Sequence, residues 1–549
     1  MSERLNEISS GIEAIDYVEI VQAFAVSEDA LTIKGKVALT VNDQRLEFDV
    51  HIYPQYPLQF HDTETIRFIN IDLLEYNHVN ADGSICVHTF HSPDMQRKIE
   101  LDFNSLKHWI IKYYINKEQD KHYEHIVIPA GSGPGQDTVF LFTDIVHQFR
   151  KGNFGRFTYS HLATGVLKEK STDSNLVQEF ITDDGIVTCK WSSVYKTFSK
   201  KTGLYYFIEQ PPVRLRRFAV ENWQDLEPLL SQDFLSLLNQ EIKDLGRENS
   251  TTIIPLLLGY KISDEQIHWQ AIQIPIDQGP AYGQKVRGLG DWVTRLRDQK
   301  ILWAKAQNIS YPYFFGRGKL HESLTKGKVL IIGIGAIGSM VAKTLVRGGC
   351  TRVVLIDHDA KEPENVCRSE YNFSTGIQDK VGDLSLSLMS ISPFVEVSTN
   401  QRFVDFSKAT ITDKFWEQAL TEFVNEYDFI FDCTSDNDVA YILDQLPAKC
   451  QIFNLSITNH AKELVCAVNP RSYQWVLDMF ERLDTDIEDM YNPTGCWSPT
   501  FKASYNDIAV LVQYAIKQIN TCFERAVPVR NFVLSTDIEK GFTIKLNQY

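Results

Sequence analysis

The chain of 549 residues is too long for one hydrophobic core, and at roughly 150 residues per domain it divides into three or four. Its 43% hydrophobic, 12% aromatic and 23% charged residues exclude global disorder. No apolar run approaches the ~20 residues of a bilayer span and no secretory segment opens the chain, so we expect a cytoplasmic protein without membrane contact. A net charge of −16 sets aside bulk nucleic acid as a partner but leaves room for a local nucleotide pocket. The nine cysteines are scattered, odd in number and without a CxxC pair, which argues against a disulfide framework or a zinc cluster. Each is then either a small buried hydrophobe or a nucleophile.

The first zone, residues 1–150, opens with Val37, Leu39 and Val41, then Leu46, Phe48, Val50 and Ile52, alternating with polar residues around Asn42 and Asp43. This period of two predicts an antiparallel hairpin, stopped by Pro54 and Pro57. Leu106, Trp109, Ile110 and Tyr113 share one helical face behind a cap at Asn104 or Ser105. Between them lies a polar, glycine-punctuated segment from Tyr76 to Phe90, containing Cys86.

Gly131, Gly133 and Gly135 with the polar run after Phe149 mark a boundary. The middle zone, 151–310, mixes β-like runs such as 187–191 with a helical stretch from Phe234 to Leu245 and carries no catalytic signature; His268 there reads as packing.

The third zone, 311–549, changes character. Val329–Ile332, Val353–Ile356 and Phe429–Phe431 are short continuous apolar runs, the pattern of strands buried on both faces of a parallel sheet. Ile337, Val341 and Leu345 form one face of an intervening helix. Gly333, Gly335 and Gly338 follow the first of these strands and open that helix, and Asp357 ends the second, placed for a ribose hydroxyl. An NAD enzyme and an ATP enzyme both fit this much. Asp359, Asn365, Arg368 and Lys380 then concentrate cations and polar partners where a triphosphate needs neutralising. After the third strand Asp436, with Asp432 as its rival, is a candidate Mg²⁺ ligand.

The run DHDAKEPENVCR, then Lys380, then DCTSDN resembles the adenylation domain of ubiquitin-activating-like (ThiF-type) enzymes. The resemblance implies that Gly333, Gly335 and Gly338 form the nucleotide loop, Asp357 binds ribose, Asn365, Arg368 and Lys380 grip phosphate, and Asp436 holds Mg²⁺ beside ATP. The chain departs from it by the extra Ser435 in the turn and by lacking paired CxxC motifs. A thiol usually receives an acyl-adenylate. Cys496, in a proline-bracketed loop before an apolar helix, occupies the region of that family's catalytic cysteine, with Cys367 beside Arg368 as the competitor.

Cys86, in Asn80–Val87 behind a hairpin and the Tyr53-Pro54-x-x-Pro57 motif, lies in a stretch, about 15–130, that resembles the ubiquitin-conjugating-like fold. His78 stands where that family has its oxyanion-stabilising Asn, with Asn77 as the alternative; His88 and His91 are remoter candidates as metal ligands. The expected architecture is a multidomain α/β chain: an α+β conjugating-like domain, an α/β middle domain and a doubly wound, Rossmann-like adenylation domain. The order of modules resembles the fused conjugating enzymes of bacterial CBASS antiphage systems. That resemblance implies adenylation of a donor protein's free C-terminus, the donor being a cyclic-nucleotide synthase, with thioesters on Cys496 and then Cys86. It further implies transfer to lysines of target proteins, and a homodimer in which Arg317 reaches the partner's triphosphate. The rival readings are an activating enzyme for sulfur transfer or peptide modification, an NAD-dependent oxidoreductase and a non-catalytic scaffold.

Overall fold

The computed structural model describes residues 2–27, 31–60, 63–118, 138–167, 170–215, 218–248, 253–262, 266–275, 284–285, 292–293, 296, 299–400, 414–483, 502–539 and 541–549. They form two compact units. One comprises residues 1–142, 146–188 and 200–308, the other 143–145, 189–199 and 309–549.

The first unit opens with α1 (Ser2–Glu13) and a four-stranded antiparallel meander, β1 (Val18–Val26), β2 (Ile33–Val41), β3 (Gln44–Ile52) and β4 (Ile66–Ile69). The β2–β3 turn is the predicted one: Asn42 and Asp43 take left-handed φ of 48° and 61°, and Val41 faces Gln44. Two left-handed residues match the twist of a two-residue hairpin. The apolar side of the meander, Val37, Leu39, Phe48, Val50 and Ile52, packs against Ile8 and Ile12 of α1 and against Ile99, Phe103 and Leu106 of α2 (Met95–Trp109). This last helix starts nine or ten residues before the predicted cap. Asp94 caps it, accepting the Arg97 N–H at 2.7 Å. The first turns escape an apolar periodicity because two of their inward residues, Lys98 and Asp102, are charged and paired with each other.

A second sheet follows: β5 (Thr138–Phe142), β6 (Phe154–Leu167), β7 (Lys170–Thr182), β8 (Gly185–Thr188), β9 (Lys200–Glu209), β10 (Ile253–Lys261), β11 (Ile267–Pro275) and β12 (Leu302–Asn308). The order is β5-β12-β11-β10-β9-β6-β7-β8, and β5 also pairs with β7. Seven strands therefore close into a ring. Phe140, Phe149, Phe157, Phe180, Tyr205, Phe207 and Trp269 form a connected aromatic cluster, Phe180 and Trp269 stacking at 4.6 Å. On the opposite side of β9 and β10, Leu204, Tyr206, Leu256 and Leu258 pack against Phe234, Leu235 and Leu238 of α3 (Gln232–Glu248). His268 is buried between Phe142 and Tyr260, and burial pulls its pKa down to about 4, so the neutral ring is packing, as expected.

In the second unit the three apolar runs are β13 (Lys328–Ile332), β14 (Arg352–Ile356) and, after α4 (Ala336–Arg347), α5 (Lys380–Ile391), β15 (Glu396–Thr399) and α6 (Lys414–Val424), β16 (Phe429–Asp432). Beyond α7 (Asn437–Gln445) come β17 (Gln451–Ile457), β18 (Glu463–Val468), α8 (Ser472–Arg482), α9 (Tyr505–Glu524), β19 (Phe532–Asp537) and β20 (Thr543–Gln548). The sheet order is β15-β14-β13-β16-β17-β18-β19-β20, parallel as far as β17 and antiparallel thereafter. This is the doubly wound arrangement read from the sequence, extended by an antiparallel flank. Residues 189–199 belong to this unit: the Ser193 backbone N–H and hydroxyl bond Glu396 at 2.7 and 2.6 Å, the Tyr195 hydroxyl donates to the Met389 carbonyl at 2.8 Å, and Trp191 stacks on Phe394. Among the described residues no helix is long and apolar enough to cross a membrane.

Candidate functional site

In a parallel sheet whose strand order reverses between β13 and β16, ligands settle at the carboxyl ends of those two strands. The glycine loop leaves β13 at this point. Gly333 has φ of +75°, and a Cβ on it would lie 2.7 Å from the Thr434 backbone; a Cβ on Gly338 would lie 2.0 Å from the Gly333 carbonyl oxygen. Both glycines are demanded by packing. Gly335 differs, since a Cβ there would meet nothing within 4 Å, and as the N-cap of α4 it provides no side-chain cap. Open space before an uncapped helix N-terminus suits a phosphate.

Asp357, buried at the end of β14, secures this loop: its Oδ2 accepts the Ile334 N–H at 2.8 Å and its Oδ1 the Asp359 N–H at 2.9 Å. Lys380, at the start of α5, donates to Asp359 Oδ2 at 2.9 Å and lies 4.0 Å from Asp357 Oδ1. Partial burial works to raise the Asp359 carboxyl, but the Lys380 hydrogen bond and charge overcome it and hold the group below the usual carboxylate range. Lys361, 2% exposed, ties down the intervening segment by donating to Asp383 Oδ2 at 2.8 Å, to the Asn372 carbonyl at 2.9 Å and to the Thr375 hydroxyl. Within that segment Asn365 Oδ1 accepts the Glu362 N–H at 3.1 Å, and Arg368 is half-buried just beyond.

Across the crevice, Asp436 caps α7, its Oδ1 accepting the N–H groups of Asp438 and Val439 at 2.8 and 3.3 Å. The described hydrogen bonds engage that oxygen alone, so a hard carboxylate oxygen remains for a cation such as Mg²⁺. Asp432 is a poorer ligand. It is fully buried, its Oδ1 accepts from the Thr434 N–H and hydroxyl and its Oδ2 from Asn454, and desolvation pushes its carboxyl up. Arg317 is exposed. Cys496 lies outside the described residues, and Cys367 is exposed with its thiol on the Glu364 carbonyl at 3.2 Å. Cys350, Cys433, Cys450, Cys466 and Cys522 are buried and desolvation raises all five thiols, Cys350 and Cys450 to about 11. They are packing.

The third candidate thiol, Cys86, borders a cleft of about 420 Å³ in the first unit, together with Glu64, Arg67, Asp82, Ser84 and His88. Its backbone N–H donates to the His78 carbonyl at 2.8 Å, so the His78 main chain, in a left-handed conformation at φ of 59°, props the loop. The His78 ring lies against Tyr113 at 4.6 Å and is not among the residues lining the cleft. Asn77 is buried beneath, donating to the Glu118 carbonyl at 3.0 Å while its own carbonyl accepts the Trp109 indole N–H at 2.8 Å. His88, in the sequence only a remoter candidate metal ligand, lies beside the thiol, its Nε2 3.3 Å from Cys86 Sγ.

A glycine loop, a strand-end aspartate and a lysine thus gather at the switch point of a doubly wound α/β domain. Residues 306–465 match the ThiF family, so the second unit carries a ThiF family domain. The chain is 26% identical over 374 residues to the ATP-dependent ubiquitin transferase-like protein Cap2 of Enterobacter hormaechei subsp. hoffmannii, covering 62% of this chain and 60% of that protein. It is also 26% identical over 125 residues to a molybdopterin-synthase adenylyltransferase of Haemophilus influenzae, covering 23% of this chain and 47% of the relative. Among solved structures, E. coli MccB with ATP aligns over 41% of this chain and 65% of its own, at 17% identity and a TM-score of 0.30.

Proposed function

We propose that this chain is an ATP-dependent conjugating enzyme built as a relay between two thiols. The ThiF domain binds ATP with its phosphates at Gly335 and the α4 N-terminus, Lys380 and Arg368 neutralise the phosphate charge, and Asp357 and Asp359 hold the ribose. Asp436 holds Mg²⁺, which when bound draws charge from the triphosphate oxygens. The carboxylate of a donor protein's C-terminus attacks the α-phosphate and pyrophosphate leaves; the Cys496 sulfur then takes the acyl carbonyl as a thioester and AMP leaves. The acyl group passes to Cys86 in the conjugating-like first domain and then to a lysine amine of a target protein. The division into a thiol domain (1–150), a middle domain (151–310) and an adenylation domain (311–549), the homodimer and the part played by Arg317 belong to the same reading.

The observation that carries it is the presence, in one chain, of a ThiF domain with an open glycine loop and of a separate cleft bordered by a cysteine. Similarity to the ATP-dependent ubiquitin transferase-like protein Cap2 supports the conjugating reading; a donor of the cyclic-nucleotide synthase type and a role in antiphage defence belong to the same proposal. The test is incubation of the full chain with ATP and such a donor. Wild type forms a reducible thioester and conjugates amines; Cys86→Ala retains pyrophosphate exchange and the Cys496 thioester but loses conjugation. Conjugation persisting at the normal rate in Cys86→Ala removes Cys86 from the mechanism and leaves an activating enzyme that needs no second thiol.

A further inference from the structure

We propose that His88 is the proton acceptor for the Cys86 thiol, and that a buried lysine–carboxylate cluster beneath the loop holds it at that task. The inference rests on Cys86 being the thiol that carries the acyl group, and it names the group that activates it. Residues 85–89 alternate as an extended chain does, with Ile85 and Val87 buried and Cys86 and His88 both opening on the cleft. The i and i+2 side chains therefore share a side, and the 3.3 Å between Sγ and Nε2 is a hydrogen-bond contact. Glu64, Arg67 and Asp82 are the charged groups facing the pair, Arg67 and Asp82 being paired with each other at 3.2 Å.

The next residue turns inward and is tied from two sides. Thr89 donates its backbone N–H to Glu64 Oε1 at 3.0 Å and its hydroxyl to Asp102 Oδ1 at 2.6 Å. Lys98 completes the cluster, bonding Glu64 Oε2 at 2.6 Å, Asp102 Oδ1 at 2.7 Å and the Thr89 hydroxyl, while Tyr56 donates to Asp102 Oδ2 at 2.9 Å. Lys98 is 1% and Asp102 0% exposed. A buried ion cluster contributes little net stability compared with apolar packing but fixes geometry. What this one fixes is the residue that follows His88.

The chemistry balances without a further reagent. The Cys86 S–H proton moves to His88 Nε2 as the sulfur–carbon bond to the acyl carbonyl forms and the bond to the delivering thiol breaks; the departing thiolate takes that proton. On discharge the carbon–nitrogen bond forms, the Cys86 sulfur–carbon bond breaks, and the amine proton passes through the same nitrogen to the sulfur.

The test needs neither ATP nor donor, so it stands apart from the relay. Iodoacetamide labelling of Cys86 in the full chain at neutral pH, followed by peptide mass spectrometry, should slow about tenfold in His88→Gln, with labelling of exposed Cys367 unchanged in the same samples. Thr89→Ser, which keeps the hydroxyl, should label near the wild-type rate, and Thr89→Val should fall between, with thermal unfolding confirming that each variant is folded. Wild-type labelling of Cys86 in His88→Gln overturns the proposal. Slowed labelling in a protein that never forms an ATP-dependent thioester on Cys86 upholds the pair and overturns the relay.

Discussion

The thiol loop of the first unit and the glycine-loop crevice of the second are both stiffened by a buried lysine, but differently. Lys98 reaches from a helix to two carboxylates and a hydroxyl, so two acidic groups share one lysine in the core. Lys361 reaches from a loop to one carboxylate, a carbonyl and a hydroxyl, and Asp383 keeps a further bond from Gln378 at 2.9 Å. The first arrangement sets the position of one short strand of chain. The second closes a long segment, 361–383, on itself, and each of its groups retains a neutral partner if one is lost.

That difference predicts unequal sensitivity. Lys98→Met leaves Glu64 and Asp102 buried against each other and should cost about 4 kcal/mol, whereas Lys361→Met, with one carboxylate still bonded, should cost about 3 kcal/mol or less; urea unfolding of the full chain compares them. Equal losses would break the contrast. Within the crevice, Gly338→Ala forces a methyl group against the Gly333 carbonyl and should distort the loop at about 2 kcal/mol with loss of ATP binding. Gly335→Ala should keep the melting temperature and weaken only ATP affinity, read by titration calorimetry. A third region sharpens the comparison because its buried titratable group has no charged partner among the described residues. The His268 proton is bound below about pH 4 in the folded ring and below about 6.5 in the unfolded chain. Stability is complete above that higher value and falls as pH drops towards 4, by roughly 2 kcal/mol at pH 5. His268→Gln should flatten this acid limb. Smallest is Asp436: Asp436→Ala loses the α7 cap at about 1 kcal/mol, while Asp436→Ser keeps the cap and should lose only Mg²⁺-dependent pyrophosphate exchange.

Elements with a clean apolar pattern were legible in the sequence: the β2–β3 hairpin and α4 by one apolar face, and β13, β14 and β16 as short runs apolar on both faces. The start of α2 was not, because Lys98 and Asp102 point inward as a pair and so imitate a solvent face. Nor was the ring, whose closure depends on pairing Val139 with both Ser174 and Lys305, a long-range fact without a local pattern. In the crevice the loop glycines, Asp357 and Lys380 stood out because strand ends and helix starts announce themselves. At the thiol site only Cys86 did. Its neighbour His88 was visible but its geometry was not, and the members of the Lys98 cluster, brought together from residues 56, 64, 89, 98 and 102, share no motif.

The strap of residues 189–199 has a consequence for how this protein can be taken apart. It is synthesised long before Met389, Phe394 and Glu396, yet its bonds are to them. A fragment beginning at residue 309 would carry every element of the ThiF sheet and still leave Glu396 without Ser193 and Phe394 without Trp191. One cut therefore cannot free the ThiF unit whole, and any exchange of modules between related chains must carry the strap along with the sheet it grips.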